Sequence, residues 1–163
     1  VFVVDVRTVD DGIKMIHDLG ALTASDEIAA KWIYQIQSQR KSLIAYTQLP
    51  TILYFIWKNP MMVVGMDTYI DGMLEEMKVI NVGKRFKGRY PSIEENKLKE
   101  LSIDEVWLSS EPYPFSEKDL EYYQKIFPDA YIRLVDGEIF SWYGVRMLEA
   151  FPYMQKMMSA ANA

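Results

Sequence analysis

Thr51-Ile52-Leu53-Tyr54-Phe55-Ile56-Trp57 is an uncharged run of β-branched, aliphatic and aromatic residues. Such residues fit a pleated, buried surface, so the run reads as a strand. Pro50 closes the element before it, and Lys58-Asn59-Pro60 supplies a loop after it. Downstream the chain alternates. Met62–Val64 predicts a short strand, and Thr68 caps a helix over Tyr69–Met77. Ser92 caps a helix over Ile93–Leu101, and Asp104-Glu105 opens a strand over Glu105–Ser109. Ser116, with Asp119 in the first turn, caps a helix over Glu117–Phe127. Tyr131–Val135 is a strand that turns at Asp136-Gly137, and a last helix covers Tyr143–Met158. Strands alternating with helices predict an α/β layered fold with a mostly parallel sheet.

Upstream, Val1-Phe2-Val3-Val4-Asp5-Val6 reads as a strand buried on both faces, which without its own sheet would expose its edges and be disordered, tucked onto the rest of the chain or paired with another chain. Thr8 caps a helix over Val9–Leu19, which Gly20 ends. Ser25 caps a second helix, with Asp26 and Glu27 where the helix dipole favours acids. Its apolar stripe is Ile28, Trp32, Ile33, Ile36, Leu43 and Ile44, which predicts an end near Thr47. About 22 residues at 1.5 Å each make a rod of about 33 Å.

Composition narrows the chemistry. The chain has 163 residues, 50% hydrophobic and 25% charged, with no cysteine, one histidine and a net charge of -5. Disulfides, thiolate nucleophiles and cysteine-held metals are excluded. The acidic balance argues against binding a nucleic-acid backbone. No apolar run approaches the ~20 residues that span a bilayer, so direct membrane insertion is not expected. No GxxxxGK[ST], GxGxxG or GxSxG motif occurs. His17 lies mid-helix and reads as a surface or lobe-edge residue, while Asp10-Asp11, Glu75-Glu76 and Glu94-Glu95 read as solvated faces. Catalytic residues and a protein-held metal are therefore not predicted.

Aromatic and proline residues gather after the strands: Trp57 with Pro60, Arg85 to Pro91, Glu111 to Phe115, and Ser141 to Arg146. Loops at the carboxyl ends of parallel strands share one edge, where ligands bind. A rim of rings and arginines suits a large, flat or polycyclic ligand with acidic or amide groups.

These loops, in order, resemble a known family. Ile56-Trp57-Lys58-Asn59-Pro60-Met61-Met62-Val63-Val64-Gly65 is similar to the first strand and loop of the C-terminal lobe in helical-backbone substrate-binding proteins of ABC importers. The similarity continues through Thr68-Tyr69-Ile70-Asp71, Asn81-Val82, Arg89-Tyr90-Pro91-Ser92 with Glu95, and Asp104-Glu105-Val106-Trp107-Leu108. It then takes in Glu111-Pro112-Tyr113-Pro114-Phe115, Asp136-Gly137 and Trp142-Tyr143-Gly144-Val145-Arg146. It covers almost all of the chain and about 60% of the family's usual length. Many family members carry tryptophan near the position of Tyr90.

The resemblance implies a three-layer Rossmann-like lobe over 49–163, a backbone helix over 25–48, and a remnant of the N-terminal lobe over 1–24. It implies capture of cobalamin, a ferric siderophore or haem between two lobes, with Trp142-Tyr143 favouring cobalamin and Arg85, Arg89 and Arg146 keeping a siderophore close. Trp57, Tyr90, Tyr113, Phe115, Trp142 and Tyr143 are the candidate stacking residues, and Arg89 and Arg146 the candidate polar contacts, although Arg146 also reads as a first-turn helix residue paired with Glu149. Glu95 is the candidate for docking on the permease, although Ser92-Ile93-Glu94-Glu95 also spells a capping box. The implied compartment is the periplasm or cell exterior, with any signal or lipid anchor outside this chain. Two readings from other classes stay open: an α/β enzyme domain with a flat cofactor, and an interaction module completed by another chain through Val1–Val6.

Overall fold

The computed structural model describes residues 1–161 apart from Ala45 and Thr47, so the last two residues of the expected lobe lie outside it. Two helices open the chain: α1, Val9–Leu22, and α2, Asp26–Ser42. A sheet follows, built from β1 (Thr51–Trp57), β2 (Met62–Val63), β3 (Ile80–Asn81), β4 (Glu105–Ser109) and β5 (Tyr131–Val135). Between and after the strands run α3 (Tyr69–Glu76), α4 (Glu95–Leu98), α5 (Glu117–Ile126), α6 (Gly137–Ser141) and α7 (Met147–Ala161).

The strand order is β2-β1-β4-β5, with β3 on the same side of β1 as β2. β1, β4 and β5 are parallel, with Tyr54 opposite Trp107 and Trp107 opposite Arg133. β3 is also parallel to β1, and β2 alone is antiparallel. Alternate residues of β1 feed two cores. Ile52, Tyr54 and Ile56 join α1, α2, α3, α6 and α7 on one face. Leu53 and Phe55 join α5 and the region of α4 on the other. The result is the expected α/β layered fold with a mostly parallel sheet.

At the opposite edge from the strands' carboxyl ends, Asp104 ties β1 to β4. Its carboxylate accepts from the Thr51 amide at 2.7 Å and from the Thr51 hydroxyl at 2.6 Å. These bonds hold its pKa below the usual carboxylate value. A group whose pKa is lowered by folding stabilises the fold above its unfolded value, near 4, and loses that contribution as pH falls through the folded value. The melting temperature is expected to fall from about pH 4 downward, and Asp104→Asn should flatten that part of a thermal-melt profile.

Several expectations are corrected. Val1–Val6 forms no strand, and Val1, Phe2, Val3 and Val4 are exposed. A strand needs a neighbour to take its backbone groups, and none of the described strands lies alongside it. Only Val6 is buried, where the chain turns onto α3 and the Arg7 carbonyl lies against Gly72. α1 runs past Gly20, which is no stop: a Cβ there would lie 2.5 Å from Ala29 Cβ, so Gly20 lets α1 and α2 approach. α2 stops at Ser42, where Leu43 turns extended, so the helix has 17 residues; its expected end at Thr47 lies outside the described residues. Ile28 and Ile44 are exposed rather than core. The last helix begins at Met147, after a short α6 that Asp136 caps through the Glu138 amide at 3.0 Å. Among the described residues no helix is long and apolar enough to cross a membrane.

Candidate functional site

The carboxyl ends of β1, β4 and β5 lie at one edge of the sheet, and the loops after them are bonded to one another. The Tyr113 amide donates to the Ile56 carbonyl at 3.2 Å, drawing the 111–116 loop onto the end of β1. The Ser110 amide donates to the Val135 carbonyl at 3.0 Å, and the Gly137 amide to the Ser110 hydroxyl at 2.9 Å. Rings therefore sit on pinned backbone. Trp57 is 38% exposed, donates from its indole to the Asn59 carbonyl, and packs edge-on against Tyr113 at 5.7 Å. Trp142 is 55% exposed, and its indole donates to the Glu111 carboxylate at 3.2 Å.

Arg89 and Tyr90 lie on a second exposed segment. The segment 89–93 runs beside β2, through bonds from Gly65 to the Arg89 carbonyl at 2.8 Å and from Val63 to the Pro91 carbonyl at 3.1 Å. Both Arg89 and Tyr90 face solvent. Tyr143, next to Trp142 in the chain, stands edge-on against buried Tyr69 at 5.5 Å.

One expected site residue is placed differently, and for Arg146 and Glu95 the structure separates the two readings that each allowed. Phe115 is buried, 4.6 Å from the Tyr113 ring and 5.6 Å from the Tyr123 ring, so it belongs to the core and offers no stacking face. Arg146 is already engaged, with Glu149 at 2.7 Å and Glu138 at 2.8 Å. The capping box at Ser92 is absent. Ser92 is bridged to Met62, Ile93 donates to the Met61 carbonyl, and α4 begins only after Glu94. The Glu95 carboxylate instead meets Lys99 at 2.6 Å and accepts from the Tyr122 hydroxyl at 3.0 Å, and these two bonds lower its pKa.

The structure adds residues that the strand-end argument passed over. Asp5, Arg7 and Asp67 lie on the Arg89 side. Arg7 pairs with Asp5 at 2.6 Å and holds its carboxyl low, with a smaller contribution from Arg89. Asp67, in the loop after β2, has a left-handed φ of 58°, and Met66 beside it is exposed. The Thr68 cap was the available signal, because a loop feeding a capped helix presents its preceding residues. Glu94 is exposed and forms no ion pair among the described residues. Among those residues no group of three or more His, Asp or Glu side chains could hold a metal. His17 faces solvent beside Asp18, 3.3 Å from its carboxylate. The site can offer ring faces, hydrogen bonds and charge.

No protein-family model matches the chain, and no curated protein matches it. Solved structures match throughout its length. The chain is 15% identical to a periplasmic heme-binding protein, HutB, of Vibrio cholerae, covering 96% of this chain and 66% of that one with a TM-score of 0.79. It is 19% identical to a Staphylococcus epidermidis protein described as a possible iron-binding, periplasmic solute-binding protein, covering 100% and 66% with a TM-score of 0.78. The periplasmic vitamin B12 binding protein BtuF of Vibrio cholerae matches at 12% identity, 96% and 63% coverage and a TM-score of 0.77. The chain therefore spans just under two thirds of those proteins and shares their fold.

Proposed function

We propose that this chain is the cargo-binding lobe of an ABC-importer substrate-binding protein. It captures a metal-bearing cofactor, cobalamin or else a ferric siderophore or haem, and presents it to a permease. The observation that supports this most is the fold itself, shared over at least 96% of the chain with solved proteins named for heme or vitamin B12 binding. The exposed rings of Trp57, Tyr90, Trp142 and Tyr143 on bonded loops support it further. Rings on fixed backbone lose little freedom on binding. In this reading residues 1–24 belong to the other lobe's end, 25–48 to the inter-lobe helix and 49–163 to the cargo lobe, in the periplasm or outside the cell. Glu95, with Glu94 beside it, is the docking carboxylate for the permease.

Tryptophan fluorescence titrated with cyanocobalamin, ferrioxamine B and haemin tests the reading. Saturable quenching by one of them is expected, with a Kd weaker than about 1 μM because one lobe covers one face of the cargo. Trp142→Ala should weaken it about tenfold, the order of a lost aromatic contact. Absence of quenching by all three would overturn the proposal, and nanomolar affinity would overturn its half-cleft geometry.

A further inference from the structure

At the strand-end rim, the arginine that the loop sequence offers to a cargo is already spent. Both terminal nitrogens of Arg146 are bonded, one to Glu149 and one to Glu138. Two carboxylates face one guanidinium, so the pair of contacts leaves excess negative charge. The neighbouring recess is lined by Ser110, Glu111, Phe115, Leu134, Val135, Asp136 and Glu138, with no lysine or arginine among them. Lys58, the nearest cation after β1, is held by Asp119 at 2.6 Å. The exposed Trp142 indole is fixed at the same place, its N–H directed at the Glu111 carboxylate.

Resting on the cargo-binding reading above, we infer that Glu111 is a specificity residue: it orients Trp142 as a platform and keeps negative charge at the platform's edge, so the site selects cargo that is neutral or cationic at its periphery. An amide-fringed macrocycle or an amine-bearing hydroxamate chelate gives hydrogen-bond donors to Glu111. A macrocycle carrying free carboxylates meets like charge at Glu111, where the neighbouring Arg146 is already paired. Glu111 acts on cargo in two separable ways. Its acceptor oxygen positions the indole, and its charge discriminates.

The experiment is fluorescence titration of the whole chain with cyanocobalamin (uncharged), ferrioxamine B (cationic) and haemin (two carboxylates). The tighter of the first two is expected to bind at least about tenfold more tightly than haemin, the sum of a few exposed like-charge contacts. In about 1 M NaCl, where the Debye length is about 3 Å, the gap should shrink. Glu111→Gln retains an acceptor for the indole and removes the charge. It should narrow the gap at least about threefold, and Glu111→Ala, which also frees the indole, should weaken the uncharged cargo more than Glu111→Gln does. Haemin binding as tightly as the others, or a gap unchanged in Glu111→Gln, overturns the inference and leaves the cargo-binding proposal standing. Quenching by none of the three overturns the cargo-binding proposal, and the inference with it.

Discussion

Glu105→Ala is expected to cost about 3–5 kcal/mol of stability, the range for removing one partner of a buried ion pair. Glu105 sits at the start of β4 and pairs with Arg133 of β5 at 2.8 Å, with both side chains largely shielded from water. The same carboxylate accepts from the Trp107 indole at 2.8 Å, and the Arg133 guanidinium lies over the Trp107 ring. Removing the carboxylate leaves a buried guanidinium without its counter-charge and a buried indole N–H without its acceptor. Urea denaturation measures the loss. The paired change Glu105→Leu with Arg133→Met should recover much of it, because replacing both charges by apolar side chains leaves neither stranded. If Glu105→Ala unfolds at the same urea midpoint as the parent, this network contributes nothing.

Gly65→Ala is the second large effect. A Cβ at this position would lie 2.2 Å from the Gly88 carbonyl oxygen, 3.0 Å from Pro91 Cδ and 3.2 Å from the Arg89 carbonyl oxygen. Two of these contacts are backbone, which cannot rotate aside, so the 88–91 segment must move. Overpacking of about 1–3 kcal/mol and a weakened Gly65–Arg89 bond of about 1 kcal/mol give an expected loss of about 2–4 kcal/mol. The consequence reaches the site, because Arg89 and Tyr90 lie on the displaced segment. Trypsin should cut after Lys87 or Arg89 several times faster in the variant, and cargo quenching should weaken alongside. Unchanged cleavage would mean that the segment is held elsewhere.

The three longest strands were legible because each is a short apolar run between turn residues, and β1, β4 and β5 have the expected ends. The Thr8 and Thr68 caps were legible because a hydroxyl facing an amide three residues on is a local interaction. Ser92 shows where such reasoning stops. Its local pattern spells a capping box, but strand-like pairing with Met61 and Met62 takes the backbone first and delays the helix to Glu95. Glu105 reads locally as an acid opening a strand, and its partner is 28 residues away in sequence, on the adjacent strand. Phe115 reads as a loop aromatic, yet its ring packs edge-on against Tyr123 in the core.

The candidate site divides in the same way. That rings follow the strands, and that the chain offers no cysteine and one histidine, is a matter of residue order and composition. Which rings face solvent was set by packing: Trp57 and Trp142 stay out, while Phe115 goes in. Whether a charge is free was also set by packing, since Arg146 meets Glu138 only when α6 folds back beside it. The sequence alone determined the alternation of elements, and through it the layered sheet and the edge where its loops meet, because periodicity and caps act within a few residues. Only the tertiary structure decided burial and charge pairing, because those depend on neighbours that the chain brings together from far apart.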